Sequence, residues 1–406
     1  MIAIMILFSL CFLVFINAMS IGLVFPIFAV LFFDPTATLF EPGTSASVKT
    51  FAFSTILALP NICMVFGAPF LGRASDHVGR KLVLLVGLTG VAFSFLLSTF
   101  AIFWGSLFLL FISRALAGFM DGSEAIAQAA IADLSVGKEK ARHMAFATFA
   151  GTIGFIIGPV LGGFLAEPSF TGRFHYEIPF MISFLLTLVN GITLYLYFPK
   201  QPPTHEYPKK IGYLAILSKG FSIAFDRRIR VYSWLIFVLQ WALATFYQIS
   251  TLFLVDRFRY SSGDLGLFTT FVGMSFSGGI FFVIHALLNR FQHVNILKAG
   301  IGFIILSLLI ALSLNTSELF PWISVIPLML GIAMMYNVLL AFISNAVTNR
   351  EQGDAMGSST SLKAIGWLSS SLIVGWLYPH LLALLGLMLI VSLLGLISST
   401  LIKTKD

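Results

Sequence analysis

Twelve stretches of this chain are each apolar over about the 20 residues that a helix needs to cross the hydrocarbon core of a bilayer. They lie near 4–33, 51–71, 82–103, 105–133, 143–166 and 178–198, and again near 229–255, 264–288, 297–314, 320–346, 355–378 and 380–402. Such a pattern leaves few folds open. Lipid cannot hydrogen-bond an exposed backbone, so each span is expected to be helical and to satisfy its own peptide groups. Composition agrees where it bears on the point: 58% of the 406 residues are hydrophobic and 10% charged, against about 25% charged in a soluble domain. The expected fold is an all-α integral membrane protein of twelve transmembrane helices in two six-helix bundles.

The bundles are expected at 1–198 and 229–406, joined by a polar linker at 199–228 that contains Pro202, Pro203, Lys209 and Lys210. Within the linker, Ile211, Leu214, Leu217 and Phe221 fall at helical spacing, which predicts an interfacial helix over 211–225. The apolar run at the start continues to about Phe33, past the roughly 7–15 residues of a signal-peptide core, and lacks a basic leader. It reads as a retained first helix.

The net charge of +7 does not point to nucleic acid, because basic residues of membrane proteins collect in cytoplasmic loops. With the N-terminus inside, 18 of the 24 Lys and Arg residues fall in cytoplasmic segments, four fall outside, and Arg114 and Lys363 lie within spans. Both termini are therefore expected in the cytoplasm. Cys11 and Cys63 lie in hydrophobic spans and read as packing residues. No metal site and no cofactor are expected.

Between the second and third spans runs GRASDHVGRK, residues 72–81, a polar turn on the expected cytoplasmic side. Gly72 there would permit close approach of the helix ends, and an Arg between carboxylates makes charge-assisted hydrogen bonds that can break and re-form. The segment resembles the signature loop of the major facilitator superfamily, and the whole chain is similar to the drug–proton antiporter and tetracycline-exporter-like branch of that family. The resemblance implies a conformational latch formed by Gly72, Asp76, Gly79, Arg80 and Lys81 with Asp133 as partner. Without the resemblance, the same residues read as a turn that merely sets topology.

The fourth span is the most polar: ISRALAGFMDGSEAIAQAAIAD. Arg114 lies about ten residues from its outer end, roughly 15 Å deep at 1.5 Å per residue. A charge at that depth faces the bundle interior and has a partner or a task. RALAG resembles the family's fourth-helix motif, which implies that Arg114 assists proton transfer. Asp121 follows two turns on along the same face, with Glu124 as its i+3 neighbour. Two carboxylates side by side in low dielectric resist ionising together, so one is expected to hold a proton near neutral pH. Two other readings stay open: a cluster that only holds the bundle together, and an acidic pocket for a cationic substrate or metal ion, although a hard metal would want more oxygen ligands than two carboxylates supply. Asn17, nine residues before Pro26, stands where many antiporters of the family carry an acid on the first helix. It reads either as a cavity residue or as a packing residue.

The fifth span contains GTIGFIIGPVLGG. Its glycines make a face for close helix contact, and its proline removes one hydrogen bond. The stretch also resembles the antiporter motif of the family's exporters, which implies a hinge at Gly154, Gly158, Pro159, Gly162 and Gly163. The second half carries weaker motifs. Its polar and aromatic residues at mid-helix depth, Gln240, Trp241, Tyr247, Gln248, His285, Tyr336, Asn337 and Trp367, are candidates for the substrate cavity.

The sequence contains no GxSxG, HExxH, phosphate loop or dinucleotide fingerprint, so an enzyme is not expected. The expected function is alternating-access export of a small organic molecule (a drug, metabolite or siderophore-like compound) coupled to protons, by rocking of the two bundles. Uptake of a small nutrient such as an amino acid or nucleoside is the alternative, and a membrane receptor or enzyme is one of another class. The expected partners are a small-molecule substrate and the lipid bilayer. The protein is expected to act as a monomer in the bacterial inner membrane.

Overall fold

A computed structural model describes residues 2–33, 39–134, 138–167, 175–199, 224–279, 287, 290–347 and 352–400. Among them are thirteen α-helices, one 3₁₀ turn at Tyr378–His380 and no strand. In chain order the helices are α1 (Ile2–Leu31), α2 (Ala46–Val78), α3 (Arg80–Phe103), α4 (Leu107–Asp121), α5 (Ser123–Asp133), α6 (Lys138–Leu165) and α7 (Ile178–Tyr197). They continue with α8 (Arg230–Phe258), α9 (Ser262–Gly278), α10 (His293–Ser313), α11 (Leu319–Ala346), α12 (Gln352–Leu377) and α13 (Leu381–Ser399).

Nine helical segments among the described residues are long and apolar enough to cross a membrane. Three features separate that number from the twelve expected spans. The segment 361–399 holds two helices, α12 and α13, on either side of Tyr378–His380. The fourth span is divided at Gly122 into α4 and α5, each too short alone. Residues 280–286 of the eighth expected span, 264–288, lie outside the described set. Residues 211–223 of the expected interfacial helix over 211–225 and most of the linker also lie outside it. Of the linker's end, Arg228 pairs with Asp226 at 2.9 Å, and hydrogen bonds from Arg228 hold the Asp226 carboxyl below the ordinary carboxylate range.

The polar segment 72–81 is tighter than a ten-residue turn. Helix α2 runs on to Val78, and Gly79 alone separates it from α3. Gly79 has φ +92°, a region that residues with a Cβ seldom enter, and its N–H donates to the carbonyl of Ser75 at 3.1 Å. One glycine thus reverses the chain between two helices.

The described residues form two compact units. One comprises Met1–Lys49, Leu59–Ile211 and Arg259–Thr270, and the other Thr50–Ala58, Gly212–Phe258 and Phe271–Asp406. In the first, α1 packs along α6 over a glycine stripe. A Cβ on Gly154, Gly158 or Gly162 would lie 2.3, 2.4 or 2.6 Å from the carbonyl oxygens of Phe15, Met19 and Leu23. Lipid is as apolar as a leucine side chain, so helices here associate through such close packing rather than by escape from water. A core of Leu10, Val14, Leu84, Leu88, Ala127 and Leu194 joins α1, α3, α5 and α7. In the second unit, Gly300 and Gly331 bring α10 against α11, where a Cβ on Gly331 would lie 2.5 Å from the Gly300 carbonyl oxygen. Also there, Gly375 of α12 packs against Ser54.

Candidate functional site

Helix α4 begins at Ser106, whose hydroxyl accepts from the Leu109 N–H at 3.3 Å. Arg114 is therefore seven residues into the helix, about 10 Å along its axis, and shallower than the 15 Å expected from the hydrophobic run. The run overstates the helix because Trp104 and Gly105 belong to the preceding turn. Arg114 is 3% exposed. Its Nη2 donates to Ser98 Oγ at 3.2 Å. Its guanidinium carbon lies 6.0 Å from the Phe28 ring centre and 5.7 Å from that of Phe180, within cation–π reach. Among the described residues no carboxylate is within ion-pair distance of Arg114, and its Nε has no acceptor. A serine and two aromatic faces hold this charge, and the sequence offers no local sign of any of the three.

Asp121 is the last residue of α4, close enough to Arg114 and to Glu124 to feel both charges. Glu124 Oε1 accepts from Gln128 Nε2 at 3.1 Å. Between the two acids, Gly122 breaks the helix while keeping helical torsions, φ −55° and ψ −19°. The cause is crowding. A Cβ on Gly118 would lie 2.1 Å from the Pro60 carbonyl oxygen, one on Gly122 2.5 Å from Ala68 Cα, and one on Gly67 2.1 Å from the Phe119 carbonyl oxygen. From the other side, α3 approaches through Gly87 against Ser123 and Gly90 against Met120. The acids thus lie beside a crossing where α2 meets the backbones of α4 and Gly122, and where α3 packs on Met120 and Ser123.

At the far end of the fourth span, Arg80 Nε pairs with Asp133 Oδ2 at 2.7 Å. Arg80 opens α3 and Asp133 closes α5, so each charge has the wrong sign for its own helix dipole. The pair offsets both conflicts. Lys81 Nζ donates to the carbonyl oxygens of Tyr195 (2.8 Å) and Phe198 at the end of α7, where a cation suits the dipole. A Cβ on Gly72 would meet nothing within 4 Å, so close helix approach does not explain that glycine. Its carbonyl accepts from the Ser75 hydroxyl. The side chain of Asp76 lies outside the described set. Arg80→Gln combined with Asp133→Asn is expected to lower thermal stability no more than the worse single variant, each single costing about 1 kcal/mol or less because Asp133 is half exposed. Additive losses in a double-mutant cycle would show that the two side chains act separately.

A second junction went unseen in the sequence. Glu167 Oε2 accepts from the Gly263 N–H at 2.9 Å and the Ser262 hydroxyl at 3.2 Å, an acid placed at the N-terminus of α9 as its dipole favours. Next to it, a Cβ on Gly163 would lie 2.5 Å from the Ser262 carbonyl oxygen. The readable signal was the capping box Ser261–Asp264, in which Asp264 Oδ2 accepts from the Ser261 N–H at 3.1 Å. Of the expected hinge residues, Gly154, Gly158 and Gly162 face α1 and Gly163 faces α9. Pro159 packs beside Gly22, and α6 is continuous through it.

Several expected cavity residues are engaged in joining α8 to α12. Gln240 Oε1 accepts from Trp367 Nε1 at 3.3 Å, and Gln248 Nε2 donates to Ser370 Oγ at 3.3 Å. Trp241 and Tyr247 are 3% and 1% exposed. Asn17 is 3% exposed, with its Nδ2 unpartnered among the described residues. Tyr336 is half-buried on α11. His285 and the Asn337 side chain lie outside the described set. A cavity of about 530 Å³ is lined by Asp256, Arg257, Asn315, Tyr378 and His380. It contains none of these candidates and opens at the ends of α8 and α12.

The sequence profile described as Major Facilitator Superfamily matches residues 10–371. The chain is 28% identical to the tetracycline resistance protein, class C, of Escherichia coli, over 89% of this chain and 87% of that one. It is 25% identical to the quinolone resistance protein NorA of Staphylococcus aureus, over 96% and 94%. Among solved structures it is similar to the human organic anion transporter MFSD10, with TM-score 0.71, 18% identity and coverage of 97% and 99%. It is also similar to the nucleoside transporter NupG, with TM-score 0.74, 14% identity and the same coverage. With the profile spanning most of its length and the helical membrane fold in place, this chain belongs to the Major Facilitator Superfamily and is an integral membrane transporter.

Proposed function

We propose that the protein exports small organic molecules in exchange for protons, with Asp121 and Glu124 as the coupling acids and Arg114 as the charge that modulates them. The observation that carries this reading is the fourth span itself. It holds a buried arginine solvated by Ser98, Phe28 and Phe180 and free of any carboxylate contact among the described residues, with two acids further down the same span. A purely structural arginine at that depth would sit against one of those acids. In this reading the acids take up and release a proton as the site turns from one side of the membrane to the other. Relatives whose names record resistance to tetracycline and quinolones support export over uptake. The Arg80–Asp133 pair serves as a latch that breaks and re-forms during the cycle. The protein works as a monomer in the bacterial inner membrane, with both termini in the cytoplasm.

Everted membrane vesicles test the proposal, with tetracycline, norfloxacin and ethidium as probes and a dye reporting luminal pH. Adding a transported probe to energised vesicles is expected to raise luminal pH as protons leave in exchange. Accumulation of a probe with a flat pH trace would sink proton coupling. Exclusion from everted vesicles with accumulation by intact cells would replace export with uptake.

A further inference from the structure

Lys363 is, after Arg114, the second basic residue within the spans, and neither the latch nor the fourth-span acids involve it. It stands eleven residues into α12, about 16 Å from one end of that helix and 21 Å from the other. An ammonium at that depth is costly in hydrocarbon, so it faces either protein or water.

The wheel of α12 says which. Leu372 and Trp376, 47% and 77% exposed, mark the open side of the helix. Lys363 is nine residues from Leu372, half a turn around the axis at 100° per residue. It shares its side with Gly366, Trp367 and Ser370, the side that packs on α8. There a Cβ on Gly366 would lie 3.1 Å from the Trp241 nitrogen, Trp367 bonds Gln240, and Ser370 bonds Thr245 and Gln248. Lys363 is half-buried on that polar side. Among the described residues its Nζ has no carboxylate within ion-pair distance and no hydrogen-bond acceptor.

A partly accessible cation, turned from the open side and without a counter-charge among the described residues, is placed to pair with an anion. We propose that Lys363 binds the anionic group of the transported molecule, so that the protein carries organic acids, carboxylates foremost. The side chains of Gln240 and Trp367 one turn away would flank the rest of such a molecule. This rests on the transport reading above but not on its direction or its coupling ion.

The test uses purified full-length protein in lipid nanodiscs and matched trios of probes: an aryl carboxylate, its primary amide and the corresponding benzylamine. Thermal-shift titrations are expected to show stabilisation by carboxylates and not by their amides or amines. Lys363→Gln is expected to weaken carboxylate binding by about ten- to a hundredfold, the range for a hydrogen bond to a charged group, and Lys363→Arg to retain it. Lys363→Met, suited to an apolar helix, supplies a second uncharged variant should the glutamine fail to fold. Equal stabilisation by amides or amines, stabilisation by no carboxylate, or unchanged binding in both uncharged variants would overturn the proposal. Carboxylate binding without movement into everted vesicles would leave the site intact and count against export alone.

Discussion

Asp121→Asn together with Glu124→Gln is expected to abolish uphill transport, lowering the energised rate by about 100-fold or more, while the protein still folds and inserts. Each amide imitates a protonated carboxyl and cannot release the proton, so the cycle loses its coupling step rather than its binding step. The structure explains why folding should survive. Arg114 is held by Ser98, Phe28 and Phe180, so removing the acids leaves those contacts of the arginine in place. Gln128 keeps an acceptor, because the carbonyl of Gln at 124 can replace Glu124 Oε1. The check is exchange of labelled against unlabelled probe, which needs no net proton movement. Exchange is expected to continue in the double variant while accumulation stops. A double variant that accumulates probe normally would remove the acids from the coupling mechanism. A fall in melting stability of more than about 2 kcal/mol would move them to a structural role.

Gly118→Val is expected to remove folded protein from the membrane altogether. A Cβ at Gly118 would lie 2.1 Å from the Pro60 carbonyl oxygen and 2.3 Å from its Cα, both backbone atoms of a helix that is itself pressed on Phe119 through Gly67. Overpacking against a side chain costs about 1–3 kcal/mol because the side chain can turn away. A backbone offers no such escape, so Gly118→Ala is expected at about 3 kcal/mol or more and Val well beyond it. Detergent-solubilised protein followed by size-exclusion chromatography and thermal unfolding reads this directly. Gly72→Ala is the matched control, because its Cβ would enter open space. It should change stability by no more than about 0.5 kcal/mol. A stable but inactive Gly72→Ala would show that the residue matters to transport and not to packing. A Gly118→Val protein that purifies as wild type would mean that α2 and α4 are farther apart in the membrane.

Arg80 and Asp133 were legible as a pair through the resemblance of the segment 72–81 to the family's signature loop, which implies an acid at the end of the fourth span as its partner. The surroundings of Arg114 were not. Ser98, Phe28 and Phe180 come from three other helices and look like any other serine or phenylalanine in a span. Gln240 and Trp367 were legible as unusual, yet their bond to each other depends on Gly366 letting α12 approach Trp241. The Glu167 cap on α9 was half-legible: the capping box at Ser261 marked the helix start, but nothing near it named an acid almost a hundred residues earlier.

The sequence by itself determined the lengths of the apolar spans and the placement of the basic segments between them. These are local properties, set by hydrophobic length and charge within one segment. Only the tertiary structure decided which faces meet. In lipid no hydrophobic force chooses a partner for a helix face, and association depends on small residues that let the backbone of another helix approach. That packing sets Gly118 against Pro60 and Gly122 against Ala68, places Asp121 and Glu124 beside that crossing, and leaves Lys363 without a counter-charge among the described residues.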